Sequence, residues 1–600
     1  VNRKKLWKYI GALGCGILIA GAVTWKFFDT PRTKEITVGV KEYKKDIKKT
    51  DYDLIVTGGE PEGVAAAVRA ARNGAKVLLV EKRNALGGLY TFGQLNYLDI
   101  PQDSKGHWLS EGIFREWYNL VGRTSTFDID TAKDAFMKLV QDEPNITLSL
   151  NTEITETVKE GSKLVAIKAK DESGQHEYTA KRFIDATADG DIATMSGAPY
   201  FIGQADIGKE KTNMSVTYVI HMKDVDWKKV KETAKSGKFE KSEATNDAAW
   251  GFWGVHLAYK PVEPDTNLRG LNIGRTPRGD VYINALQIFN VDGLNEESKK
   301  KAIETGKKET QHIHKFLKEN FPGFENSKIA SYPEELYIRE TRHVQSEYMV
   351  SMQDVWERKN HWDKIAWGGY PVDVQALSRK EPGYVVVKPG QYTIPFRSLV
   401  PKEVDNLLVT SKASGYSSLA AGSARVVPTG MSVAEAGGIA ATISIKNDIG
   451  FREMAHEEEL IKKLQDKLKQ QNAVLNDFED TNYPYMDDKG YEGIKAVYNY
   501  GLVLAGYDNK LPLDDKVSAM QFSALTDKLL KQVNKQVYGE KAAVIASMPQ
   551  EKTNITNQQV LDQLNKLGVK VTYTSPTTDY ITVRDMYMYM KDLIDTYKTK

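Results

Sequence analysis

The stretch Asp53–Arg83, DLIVTGGEPEGVAAAVRAARNGAKVLLVEKR, decides how this chain is read. An apolar run from Asp53 to Thr57 leads into a glycine turn, and Val64 to Arg72 is an alanine-rich segment whose small residues allow a helix to approach a sheet closely. Val77 to Val80 is a second apolar run, and Glu81 follows it directly. Strand, turn, helix, strand and acid in this order predict a parallel βαβ unit with a right-handed crossover, the arrangement that holds a dinucleotide. Gly58 and Gly59 make the tight turn, Gly63 lets the helix pack on the strand, and Glu81 stands where an acid hydrogen-bonds a ribose hydroxyl. Glu60 departs from the pattern. It takes the middle glycine position of G-x-G-x-x-G, and with Glu62 it puts two carboxylates where the helix dipole favours a phosphate. On this segment alone, a βαβ unit that has lost its ligand is a competing reading.

The chain has 600 residues, enough for two or more domains. Lys and Arg number 82 against 80 Asp and Glu, so no global field draws the chain to nucleic acid, and the lysines read as a solvated surface. Cys15 is the single cysteine, which excludes internal disulfides and cysteine-based metal or cluster sites; no metal centre is expected. Redox chemistry would need a bound organic cofactor.

Residues 1–29 carry Arg3, Lys4, Lys5 and Lys8 ahead of an uncharged run from Tyr9 to Trp25, near the short end of what spans a bilayer. They read as an N-terminal transmembrane anchor, with a cleaved signal peptide as the alternative. The expected location is the cell membrane, single-pass, with the body facing the exterior, although lysines and arginines on both sides leave the orientation open. Residues 30–50 form a polar, lysine-rich tether. Residues 51–475 follow as the main domain, and about 200–330 changes character, with alternating strands (NMSVTYVIHM, DVYINALQIFNV) and several tryptophans, as an inserted α+β substrate domain. The helix EEELIKKLQDKLKQQNAVL, with Leu460, Leu464, Leu468 and Leu475 in one stripe, packs back on the body. Residues 484–600 read as a small, mostly helical domain of two related units, with capping boxes at Ser518/Gln521 and Thr582/Asp585.

Other segments add to the first. EKRNALGGLYT sets Gly87 and Gly88 after Glu81 and Lys82; FIDATADGDIATMSGAP (Phe183 to Pro199) is a strand and an A-T-G-D-G-type turn with Ala188 in place of glycine; Ile394 to Ala441 ends in the glycine-containing helix MSVAEAGGIAA. In this order the segments resemble the FAD-dependent oxidoreductases of the glutathione-reductase-like, two-dinucleotide-fold class, and a bacterial subgroup among them. The resemblance implies an α/β, Rossmann-like FAD-binding domain and FAD as cofactor. It implies Gly58, Gly59, Glu60, Gly63, Glu81 and Lys82 at the ADP half, Gly87, Gly88 and Thr187 in the middle, and Arg425 with Gly437 and Gly438 at the flavin end. The segment ELYIRETRHVQSEYMVSMQDV resembles an R-E-S-R-like hallmark of the subgroup. Arg339, Arg342, His343 and Arg397 are the catalytic or substrate-binding candidates, since guanidinium groups suit carboxylates; ion pairs that brace two domains are the alternative. The C-terminal units resemble diverged surface-layer homology repeats, in which Arg584 keeps a basic residue and a cell-wall polysaccharide is the implied partner.

The expectation is a membrane-anchored FAD-dependent oxidoreductase acting on a small organic substrate. The alternative is a non-catalytic cell-surface protein that reuses the fold and binds wall glycan through its tail.

Overall fold

The computed structural model describes residues 36–47, 50–210, 212–478, 482–576 and 579–598. The quoted stretch forms β1 (Asp51–Thr57), α1 (Pro61–Arg72) and β2 (Val77–Val80), which open a larger sheet with β3 (Ile146–Ser149), β4 (Glu153–Glu160), β5 (Lys163–Asp171) and β6 (Gly174–Asp185). The strand order is β3-β2-β1-β6-β5-β4. β3, β2, β1 and β6 run parallel, and the late strand Leu407–Val409 adds in parallel to the last residues of β6. The first half of β6 pairs antiparallel with β5, so this one long strand carries both the parallel sheet and a meander. β2, sequence VLLV, is buried along its whole length: Val77 and Leu79 share a core with α1, and Leu78 and Val80 share a second one with Leu164, Ile167 and Tyr178 of the meander.

α1 lies against the long helix Val427–Asn447, and the alanines explain the closeness of the pair. A Cβ added to Gly438 would fall 2.4 Å from the Ala66 carbonyl oxygen, so only glycine facing alanine lets the two backbones meet. One buried ion pair crosses this contact: Arg69 donates to Glu435 Oε2 from Nε (3.0 Å) and Nη2 (2.5 Å), and the Ile113 N–H donates to the other oxygen.

A second, antiparallel sheet is built from residues 216–331, in the order Lys328–Ser331, Val216–Lys223, Val281–Ile288, Leu271–Arg275, Ala248–Gly251, Ser242–Ala244, with Thr266–Leu268 also on Val281–Ile288. It has its own core, centred on Tyr218, Ile220, Ile283 and Leu286, closed by the helix Glu296–Asn320. The helix Glu458–Gln470 returns to the body on Ile461, Leu464 and Leu468, with Leu475 buried beyond it, while Leu460 is only partly buried.

Two features differ from the sequence reading, and a third falls where the structure does not test it. The anchor reading of residues 1–29 lies outside the described residues; among the described residues no single helix is long and apolar enough to cross a membrane. Residues 36–47 are docked rather than a free tether: Val38 is buried in the main core, Lys41 exchanges hydrogen bonds with the Gln141 amide, and the Tyr43 hydroxyl donates to the Leu148 carbonyl. Lys41 and Lys44 stay exposed, while Lys45 turns inward and donates to the Thr152 hydroxyl and the Asp171 carboxylate.

The tail has three capped helices where two were expected. Ser518, Thr556 and Thr582 each cap a helix through a reciprocal box, with Gln521, Gln559 and Asp585, at the heads of Ala519–Val533, Asn557–Leu567 and Val583–Tyr597. The residues just before the caps close a ring: the Val517 N–H donates to the Ile581 carbonyl, Ile581 to Ile555, and Ile555 to Val517, at 2.9–3.2 Å. The middle box, T-x-x-Q in NITNQQV, is visible in the sequence on the same rule. Arg584 is held by Asp488 and Asp514, and the tail packs on the body through Tyr498 stacked on Trp356 and Gln532 donating to the Ile207 carbonyl.

Candidate active site

The site grows from the β1–α1 turn. Gly58 has φ +90°, and a Cβ there would sit 2.8 Å from the Ala186 and Thr187 backbone; a Cβ on Gly63 would lie 1.9 Å from the Gly58 carbonyl oxygen. Neither position accepts a side chain. Glu60 is different: its φ of −60° and ψ of 164° are open to any residue, so the backbone does not call for glycine. Its carboxylate folds over Gly88, accepts from the Leu89 N–H at 3.3 Å and pairs with Arg83 Nη2 at 2.5 Å. Arg83 also grips Glu81 through Nε and its backbone N–H, and reaches Glu335 at 3.3 Å. Glu81 accepts in addition from the Gly59 N–H. Burial pushes Glu81 up, but Arg83 and these N–H groups outweigh it and hold the carboxyl below its usual range.

Glu62, next on α1, is buried without a cation beside it. Burial, then the neighbouring Glu60 charge, push it up to about 8 from 4.5, so it is mostly neutral at pH 7. An acid with a raised native pKa adds stability that is complete below the unfolded value and lost as pH rises through the folded one. Native protein is therefore expected to lose stability between about pH 5 and 9 relative to Glu62→Gln, with the variant ahead by on the order of 2–5 kcal/mol at pH 9. Urea unfolding of both proteins across this range checks it; parallel profiles would refute it.

The second turn, Ala186 to Asp191, is organised by Asp185. Its oxygens accept from the Thr187 N–H and hydroxyl and from the Ala193 N–H, and burial still raises it to about 6. Ala188 keeps a negative φ, which is why alanine serves where the family pattern has glycine, whereas Gly190, at φ +66°, needs its freedom. Lys412 ties this turn to the strand end at Leu407–Val409 by donating to the Ala188 carbonyl and Asp189 carboxylate, both at 2.7 Å.

Both turns open on one cavity of about 950 Å³ at the C-terminal ends of the parallel strands, where open α/β sheets bind ligands. Gly58, Glu60, Glu62, Glu81, Lys82 and Thr187 line it, with the segment Glu334–Arg339, Arg342, the helix Glu296–Asn320, and Arg425 to Pro428 at the head of the long helix. Asp99, which has no local sequence signature, also faces it. Burial, then Asp373, raise Asp99 to about 6, and its Oδ2 accepts from the Tyr370 hydroxyl at 3.4 Å.

The predicted residues divide. Gly59, Gly63, Gly87 and Gly88 buttress the wall: Gly87 donates to the Gly59 carbonyl, and a Cβ on it would collide with Phe136 and Thr91. Gly437 and Gly438 are not at the cavity. The long helix begins at Val427 instead of Met431, so its head is Val426–Pro428, and the two glycines face Thr410 and Ala66 as packing residues. Arg397 lies elsewhere, clamped in a two-pronged pair with Asp363. His343 is buried beside Phe201, ring centroids 4.8 Å apart, with Nε2 3.4 Å from Glu340. Arg342 reaches the cavity edge but is paired with Asp191 at 2.6 Å. Arg83, overlooked as a site residue, was legible two positions after Glu81 in the opening stretch.

A glycine turn that bars side chains, an acid at the end of the second strand, and a long cavity crossing to a helix N-terminus define a dinucleotide-binding redox protein. The family described as FAD dependent oxidoreductase matches residues 53–468, and the chain belongs to it. Its cofactor is FAD. The chain is also 57% identical over 37 residues to dihydrolipoyl dehydrogenase of Trypanosoma brucei brucei, a match spanning 6% of this chain and 8% of that enzyme. Among solved structures it resembles a geranylgeranyl bacteriochlorophyll reductase-like protein of Thermoplasma acidophilum, 10% identical, covering 86% of this chain and 96% of that one, with a TM-score of 0.37. It also resembles p-nitrophenol 4-monooxygenase of Pseudomonas putida, 10% identical, covering 80% and 99%, with a TM-score of 0.37. The residues present fit FAD in cavity size and in the glycine turn; the Glu60 carboxylate is the one group at odds with a phosphate at the head of α1.

Proposed function

We propose that the protein moves a hydride or electrons between a small organic substrate and FAD. The observation that carries this reading is the continuity of the cavity, which runs from Gly58, Glu81 and Thr187 to Tyr337, Arg339 and Arg425, with Glu296, Lys299, Lys300 and Ile303 of the inserted region on its lining. Gly58, Glu81 and Lys82 would hold the nucleotide half, and Thr187, Arg425 and the head of the helix Val427–Asn447 the other. FAD, when bound, supplies the two-electron redox chemistry. The chain's part is to orient and to manage charge. The N-terminus of the long helix favours negative charge at Val427 and Pro428, neutral Glu62 adds none there near pH 7, and Asp99, ionised above about pH 6, can take a proton from the substrate.

We also read residues 1–29 as the anchor that holds the enzyme at the cell membrane, facing the exterior, from the cationic cluster and apolar run of that segment. One preparation tests both readings. The full chain is expected in the membrane pellet after a salt wash, and after detergent extraction and gel filtration it should keep a flavin absorbance. A flavin-free protein that takes up no added FAD would refute the enzyme reading, and recovery in the soluble fraction would refute the anchor.

A further inference from the structure

Three guanidinium groups come together at one end of the cavity: Arg339 and Arg425 line it, and Arg269 joins them through Gln375 and Asp373 without lining it itself. Arg339 is 4% exposed, donates to the Thr217 hydroxyl at 2.8 Å and lies on the Tyr337 ring, 3.8 Å from its centroid. Arg269, from the turn before the strand Leu271–Arg275, makes only long contacts, at 3.2–3.4 Å, to Gln375 and Asn284. Arg425 donates to the Tyr337 hydroxyl at 3.1 Å and meets Asp373 at 3.4 Å. The Nε groups of both Arg269 and Arg425 are buried without a hydrogen-bond partner. Burial, then the charges of Arg269 and Arg425 against the opposing Tyr337, draw Arg339 down to about 10.

An unpartnered Nε is not confined to this cluster, since Arg275 and Arg342 each have one; what sets the cluster apart is that three cations lie together. Arg83, Arg342, Arg397 and Arg69 each hold a carboxylate, and Arg182, which does not, donates to Ser444 and to two backbone carbonyls. Among the described residues, neither Arg269 nor Arg339 has a carboxylate within 4 Å. The anionic groups that face the cluster are Asp373 and Asp99, and the remaining neighbours are the hydroxyls of Tyr90, Tyr97, Tyr337, Tyr370 and Tyr507. Three cations against two carboxylates leave a surplus of one positive charge where water is largely excluded, a costly arrangement unless a ligand completes it.

We propose that Arg269 and Arg339, together with Arg425, bind the carboxylate of a small monoanionic organic acid, which is the substrate of the oxidoreductase reading above, on which this inference rests. The single surplus charge matches one carboxylate better than a phosphate dianion, and two planar guanidinium forks suit a two-oxygen ligand. Groups suited to phosphate, the head of α1, the Leu89 N–H and Arg83, lie on the β1–β2 side; the head of the long helix beside Arg425 suits either anion, so the charge count is what favours a carboxylate.

The test is calorimetric titration of the full chain with propanoate, propanamide and inorganic phosphate at constant ionic strength, on native protein, Arg339→Met, Arg269→Met and Arg339→Lys, with unfolding followed in parallel. Propanoate is expected to bind at least about 30-fold more tightly than neutral propanamide, and each methionine variant to lose about 10- to 100-fold of that affinity. The melting temperature of the methionine variants should hold or rise, because an uncompensated buried cation is removed. Arg339→Lys keeps the charge and loses the fork; it serves if a methionine variant does not fold, and is expected to bind about 10-fold more weakly. Equal binding of acid and amide, tighter binding of phosphate than of propanoate, or variants that melt earlier yet bind as native protein does would each overturn the proposal. Flavin absorbance is read on the same samples: propanoate selectivity without flavin leaves the anion site standing and refutes the oxidoreductase reading, while flavin without selectivity does the reverse.

Discussion

Glu60→Gly is expected to tighten FAD binding by about 10- to 100-fold. The Glu60 carboxylate occupies the space above Gly88, takes the Leu89 N–H and holds Arg83, and these are the groups that would otherwise attract an anion beside the head of α1. A phosphate arriving there meets a negative charge and must displace it from a cation and an N–H. Losing one charge-assisted contact to the incoming anion costs about 1.5–3 kcal/mol, which is the stated range of affinity. The backbone at position 60 is ordinary, so the substitution removes the carboxylate without relieving strain elsewhere, at about 1 kcal/mol of lost helix-start stability or less. Quenching of FAD fluorescence on titration into native and variant protein measures the effect directly. Weaker binding by the variant would mean that Glu60 helps to hold the cofactor and that Arg83 is positioned through it.

The largest stability effect is expected at the crossing of α1 and the long helix. Arg69→Met should destabilise the protein by about 3–5 kcal/mol, because it leaves Glu435 buried with the Ile113 N–H as its remaining donor. Burial already pushes Glu435 up even with Arg69 in place. With Arg69 gone, the carboxyl can escape the penalty by taking a proton, so the loss should shrink as pH falls toward 5 and grow above neutrality. The double variant Arg69→Met/Glu435→Leu removes both charges and should recover most of the stability, since apolar side chains can replace a buried pair at little net cost. Urea denaturation of the single and double variants at pH 5 and pH 8 checks all three statements. A double variant no more stable than Arg69→Met would show that packing volume at this crossing matters more than the charge.

These two sites also mark how far the chain could be read before it was folded. The βαβ unit, the capping boxes at Ser518 and Thr582 and the stripe Leu464, Leu468 and Leu475 follow from spacings of two to seven residues, which local backbone geometry converts into fixed neighbours, although Leu460 of that stripe is only partly buried and Ile461 takes its place. The acid at the end of β2 was placed correctly for the same reason. Arg397 and His343 were attractive candidates by residue type alone, and folding gave each a partner of its own, Asp363 and Phe201. Gly437 and Gly438 were read as cofactor glycines, but their small size serves α1 and the central sheet, a role that depends on which helix lies opposite.

By itself the sequence determined the βαβ frame, the presence of a second, strand-rich region and the heads of the helices capped by Ser518 and Thr582, because those depend on residues that are neighbours along the chain. Only the tertiary structure decided which charges are neutralised. Glu60 and Arg83 are 23 positions apart, and Arg69 and Glu435 are separated by 366. The physical reason is that pairing energy depends on distance and on exclusion of water, and spacing along the chain encodes neither. The same holds for the one cluster left incomplete: Arg269, Arg339 and Arg425 come from three distant segments, and their shortage of counter-charge exists only once the fold has brought them together.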